Sequence, residues 1–164
     1  MSKYHIAIRC LHWLMAICII AMLLLGFFMS GNLGYNLHKA IGISLIFLIF
    51  IRVLVRLLTK SPAFSTGFKK RDVVLAKLGH LALYTLMIVM PLSGWFMIDF
   101  GASPIMVFDM ELFSLVDKNK DLRKIAYQLH ETLPFVLIFM ISAHVLAVAK
   151  HKIVDKVNLL KRIL

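Results

Sequence analysis

Four stretches of the chain, at about 10–29, 38–57, 79–98 and 130–149, are almost unbroken runs of apolar residues, and the polar residues gather between them. A helix needs about 20 apolar residues to cross a hydrocarbon core of about 30 Å, so the pattern predicts four membrane-spanning helices. Between the first two runs, Ser30, Gly31, Asn32, Gly34 and Asn36 predict a short turn between antiparallel neighbours. The second connection, 59–78, is basic, with Lys60, Lys69, Lys70, Arg71 and Lys77. The third, 99–129, is mixed in charge and partly apolar, which suits a short amphipathic helix at the membrane surface. A basic tail from Lys150 closes the chain.

Composition supports this class. A length of 164 residues predicts one domain, 1–164. The hydrophobic content of 61% and mean hydropathy of +0.88 lie far above the roughly 45–50% apolar usage of soluble domains. The first apolar run follows Lys3 and Arg9 as a signal sequence would, but no small-residue cleavage site comes after Gly26-Phe27-Phe28-Met29, so a retained first helix is expected. Cys10 and Cys18 are about 12 Å apart along one helix, beyond the roughly 7 Å reach of a disulfide. There is no C-x-x-C-H motif, so any haem here is held without thioether links, as a b-type group.

A net charge of +11 would suggest nucleic acid in a soluble protein. Here the positions explain it. Fourteen Lys and Arg fall on the side of the N-terminus, the second connection and the tail, against five (Lys39, Lys118, Lys120, Arg123, Lys124) on the other. The positive-inside rule therefore predicts both termini in the cytoplasm and no nucleic-acid partner. Six of the eight acidic residues fall outside and none sits mid-membrane. A proton pump or cation-coupled transporter needs ionisable groups along its path, so that class is disfavoured.

Histidine is the only titratable residue used in any number inside the spans. His5 and His151 flank them and suit surface roles, whereas an intramembrane histidine is a functional candidate by default. His12, His80 and His144 fall toward the inner side, His38 and His130 toward the outer. His130 and His144 are 14 residues apart, about 21 Å of helical rise and within about 40° of one face. The same interval leads from His12 to Gly26, from Arg52 back to His38, and from His80 to Gly94. Each helix thus offers one special residue at each of two levels: Gly26, His38, Gly94 and His130 outside, His12, Arg52, His80 and His144 inside.

A flat macrocycle between helices accounts for these residue types. Facing imidazoles supply axial bonds to iron, and glycines let backbone lie against the porphyrin. Gly42, one turn after His38, widens the outer pocket, and Arg52 suits a haem propionate. Zinc wants three or four ligands close together, and each level offers two or three on separate helices. The expected fold is all-α: an integral membrane four-helix bundle enclosing two b-type haems. At the inner level, depth alone leaves His12 and His80 both open as partners of His144. Glu131, beside His130, suits either orientation of that ligand or a solvated helix start. Trp13 and Trp95 suit membrane anchoring or packing, and Pro91 suits a bend in the third helix.

The segments Ile8-Arg9-Cys10-Leu11-His12-Trp13, Leu37-His38-Lys39-Ala40-Ile41-Gly42, Lys77-Leu78-Gly79-His80 and His130-Glu131-Thr132-Leu133, with Arg52, Arg56 and His144, resemble the bacterial cytochrome b561 family. That family is akin to the di-haem b subunits of membrane hydrogenases and formate dehydrogenases. The resemblance implies bis-histidine haems in the bacterial inner membrane, His12 with His144 on the cytoplasmic side and His38 with His130 on the periplasmic side. It also implies electron exchange with ubiquinone or menaquinone. His80 is then a surplus histidine suited to a propionate or a quinone carbonyl. Stand-alone members of the resembled family include superoxide oxidases, which pass electrons from superoxide to ubiquinone. The alternative is a cytochrome b anchor or relay subunit serving a redox partner protein, without a substrate site of its own.

Overall fold

The computed structural model describes residues 2–60, 62, 68–101, 105–107, 110–112 and 114–164. Four helices dominate: α1 (Ile6–Phe28), α2 (Gly31–Leu58), α3 (Lys70–Asp99) and α4 (Lys120–Ile153). Each is long and apolar enough to cross a membrane, and the chain is a multi-pass membrane protein. α1 packs on α2 and α3 on α4, with α2 against α3 joining the two pairs.

The helices outrun the apolar segments, because hydropathy marks the part in hydrocarbon while the hydrogen-bond ladder continues into the polar boundary. The expected turn at 30–36 is mostly the start of α2, and only Met29 and Ser30 separate α1 from α2. Gly31 opens α2 at φ 66°, in the left-handed region that glycine enters without a Cβ penalty. α3 begins in the basic stretch at Lys70. α4 begins at Lys120, where Asn119 Oδ1 accepts from the backbone N–H groups of Asp121 (3.1 Å) and Leu122 (3.0 Å). Such an N-cap satisfies donors that otherwise lack partners at a helix start.

Where a surface helix was expected within 99–129, the described residues form an antiparallel hairpin of β1 (Ile105–Val107) and β2 (Met110–Leu112), followed by the early start of α4. Ile105 and Val107 are β-branched and favour a strand. Of the outer acids, Asp109 lies outside the described residues. Asp99 is only 2% exposed. Its carboxylate accepts from Ser114 Oγ and from Leu115 N–H at 2.9 Å, tying the segment after the hairpin to the end of α3.

The basic tail folds back as a 3-10 helix, Leu159–Arg162. Tyr4 N–H donates to Arg162 O (3.0 Å) and Trp13 Nε1 to Ile163 O (3.0 Å), so both termini meet at one end of the bundle. The turn leading there is pinned by Asp155, whose Oδ2 lies 2.6 Å from both Lys150 Nζ and His151 Nδ1. The Lys150 hydrogen bond is the main cause holding the Asp155 carboxyl below its ordinary range.

Candidate functional site

Two levels of polar side chains interrupt the apolar interior, one distal and one proximal to the end that bears the termini. Helix register creates them. Along α1 and α2, His12 meets Arg52, Met22 meets Gly42, and Gly26 meets His38; every step forward on α1 is matched by an equal step back on α2. Along α3 and α4, His80 meets His144 and Gly94 meets His130 in the same manner. The interval of 14 residues thus appears as two layers, each with all four helices represented: Gly26, His38, Gly94 and His130 in one, His12, Arg52, His80 and His144 in the other.

At the distal level the rings of His38 and His130 face each other, with centroids 5.9 Å apart and planes at 87°. They line a cavity of about 590 Å³ together with Gly26, Gly42, Gly94 and Glu131. A Cβ on Gly94 would stand 2.8 Å from His130 Cε1, and one on Gly26 would stand 3.5 Å from His38 Cε1. Gly94 is therefore required by contact, whereas Gly26 borders the ring at ordinary van der Waals distance. A Cβ on Gly42 would meet the end of the flexible Met22 side chain at 3.4 Å.

Hydrogen bonds select the free nitrogen of His130. Its Nδ1 lies 3.1 Å from Ser93 Oγ and 3.2 Å from Met90 O, while the Ser93 hydroxyl donates to Met90 O at 2.6 Å. With two oxygens in reach, Nδ1 carries the proton and Nε2 keeps the lone pair, the tautomer a metal-ligating imidazole needs. His38 Nδ1 is buried with no hydrogen-bond partner among the described residues. Two metal–imidazole bonds of about 2 Å each would put ring centroids roughly 6 Å apart. The distal pair fits a b haem on this spacing, on its glycine clearance and on a cavity within the roughly 300–1,000 Å³ of cofactor sites.

The proximal level is arranged differently. His80 and His144 rings lie 5.3 Å apart at 85° and line a second cavity of about 530 Å³ with Gly79, Arg71, Asp72 and His151. His80 Nδ1 donates to Ala76 O at 2.6 Å, which leaves its Nε2 free. His12 does not join that ring pair. Its Nδ1 accepts from Arg52 Nη2 at 3.0 Å. Arg52 is a hub, with Nε 3.4 Å from Tyr84 OH, Nη1 3.8 Å from Met15 Sδ, and its guanidinium 5.8 Å over the Tyr84 ring. Among the described residues no group of three or more His, Cys, Asp or Glu side chains is placed to hold a bare metal ion.

The flanking histidines have local structural tasks. His5 Nδ1 accepts from Ala7 N–H at the start of α1, and the His151 ring lies 5.2 Å from that of Phe68. Sequence reasoning passed over Ser93, Tyr84 and the Met90 carbonyl. Ser93 and Tyr84 had one available signal, hydroxyl groups within a run that, apart from them, Thr85 and His80, is apolar. The carbonyl had none.

A model of the prokaryotic cytochrome b561 family matches residues 3–164. Cytochrome b561 homolog 2 of Escherichia coli (strain K12) is 31% identical over 99% of this chain and 92% of its own length. Cytochrome b561 homolog 1 of the same organism is 26% identical over 94% of this chain and 92% of its own. A protein of Yersinia pestis named "Probable superoxide oxidase CybB" is 28% identical over 78% of this chain and 73% of its own. This chain belongs to the prokaryotic cytochrome b561 family and is a membrane protein of the b-haem-binding class.

Proposed function

We propose that this chain, acting as a single domain, is a di-haem cytochrome that carries electrons across the bacterial inner membrane between the periplasmic side and the quinone pool. The observation that bears most of the reading is the facing pair His38 and His130, 5.9 Å apart over Gly94. The distribution of Lys and Arg supports cytoplasmic termini, which makes the distal level periplasmic.

A b haem at each level supplies reversible one-electron chemistry. The chain's part is to hold, orient and screen. His38 and His130 are the distal ligands, with Ser93 and Met90 O fixing the tautomer of His130. Gly26, Gly42 and Gly94 keep side chains out of the same layer. His144 and His12 are the proximal ligands, as the family likeness implies; ligation through His12 Nε2 needs the ring proton on Nδ1, so the Arg52 Nη2 contact at that nitrogen gives way when haem is bound, and Arg52 supplies the positive charge beside them. The 5.3 Å between His80 and His144 favours a second reading in which His80 replaces His12. Haem content separates the two: His12→Leu loses the proximal haem in the first reading and keeps it in the second.

On the periplasmic side the substrate is superoxide, a reading supported by the printed name of the Yersinia relative. Two superoxide anions each give up one electron and leave as dioxygen. One quinone takes those two electrons with two protons from the cytoplasmic side and leaves as quinol. Superoxide-driven quinone reduction by the purified protein tests this. No such activity, together with a dehydrogenase co-migrating in mild detergent, replaces it with an anchor and relay subunit.

A further inference from the structure

At the end of the bundle that carries the termini, the Tyr4 ring lies between two guanidinium groups, with Arg56 Cζ and Arg162 Cζ each 5.4 Å from its centroid. Arg162 is engaged, since its Nη2 donates to Pro62 O at 2.7 Å. Arg56 differs. Its Nη1 is buried with no hydrogen-bond partner among the described residues, and so is Arg9 Nε. The register that sets His12 against Arg52 brings Arg9 within one residue of the level of Arg56 on the neighbouring helix.

Buried N–H groups on charged side chains demand acceptors, and like charges gathered round one ring repel each other. Among the described residues no carboxylate pairs with Arg9 or Arg56. The acidic residues described at this end are Asp72, 3.8 Å from Arg71, and Asp155, 2.6 Å from Lys150 and His151. Apolar surface adjoins the unmet donors: Leu57 and Leu58, next to Arg56, are 77% and 84% exposed. The cluster sits in the last turn of α2 and the first turns of α1, the depth of lipid headgroups when these helices span.

We propose that Arg9 and Arg56, roofed by Tyr4, form a binding site for the phosphate of an acidic phospholipid, with the acyl chains on the apolar surface beside Arg56. The guanidinium fork matches phosphate oxygens, and Tyr4 holds one fork in place by a cation–π contact. A haem carboxylate shares this oxyanion chemistry, and the two sources separate by what else changes when the arginines are removed.

The test is native mass spectrometry of the haem-loaded protein in mild detergent, titrated with phosphatidylglycerol or phosphatidylcholine. Wild type is expected to retain phosphatidylglycerol in preference to phosphatidylcholine. The double variant Arg9→Gln, Arg56→Gln is expected to lose about tenfold in phosphatidylglycerol affinity, with haem content and reduced spectrum unchanged. Arg9→Lys with Arg56→Lys should recover part of the loss, because the charge returns without the fork. The proposal is overturned if wild type shows no headgroup preference, or if retention is equal in wild type and the Gln variant. It is equally overturned if the Gln variant keeps its lipid and instead loses or shifts a haem signal, which assigns the arginines to the cofactor.

Discussion

Gly94 stands against the His130 ring with no room for even one added carbon: a Cβ would lie 2.8 Å from Cε1 and 3.0 Å from Nδ1. Gly94→Ala must therefore push the imidazole away or part α3 from α4, and overpacking of this kind costs about 1–3 kcal/mol. The expected outcome is loss of the distal haem with retention of the proximal one, read as haem per chain and as a changed reduced spectrum. Gly26→Ala is the control, since its Cβ would meet His38 at an ordinary 3.5 Å and both haems should remain.

Ser93 adjusts rather than builds the distal level. Its hydroxyl accepts from His130 Nδ1 (3.1 Å) while donating to Met90 O (2.6 Å). Ser93→Ala leaves the Met90 carbonyl as the remaining acceptor, so the imidazole becomes a weaker electron donor. A hydrogen bond of about 1 kcal/mol limits the effect to a rise of roughly 40 mV in the distal midpoint potential. Redox titration checks the direction, and the proximal midpoint should not move.

Arg52 joins α1, α2 and α3 through His12, Met15 and Tyr84. Arg52→Leu removes hydrogen bonds to a charged group, worth roughly 1.5–3 kcal/mol. The loss should fall on the proximal haem alone, with the distal spectrum and midpoint intact. Arg52→Lys keeps the charge without the fork and should give an intermediate effect.

Asp155 makes stability depend on pH at the end of α4. The Lys150 hydrogen bond lowers its carboxyl pKa below the ordinary 3.8. A depressed folded value means the stabilisation is fully present above pH 3.8 and is lost as pH falls through the lower folded value. The difference in thermal midpoint between wild type and Asp155→Asn should be present above about pH 4 and should vanish in stronger acid.

The two layers were legible in the sequence because helical rise turns an interval into a distance. His12 to Gly26 and Arg52 back to His38 are equal steps, and the structure sets their ends face to face. Less legible were features that depend on rotation or on polar chain. Which inner histidine faces His144 depends on how far α1 and α3 turn about their axes, and hydropathy carries no record of that. The start of α4 at Lys120 rests on the Asn119 cap within a charged stretch. The docking of the tail rests on one indole N–H, that of Trp13, donating to a backbone carbonyl 150 residues away.

The central claim is that two haems sit at two levels, each held by a pair of histidines. Haem per chain, measured alongside reduced-minus-oxidised spectra in wild type and in His12→Leu, His38→Leu, His80→Leu, His130→Leu and His144→Leu, tests it most directly. The account predicts about two haems in wild type and in His80→Leu, and about one in each of the other four, with His38→Leu and His130→Leu losing the same spectral component. A single haem in wild type, or two haems surviving in His38→Leu or His130→Leu, would contradict it.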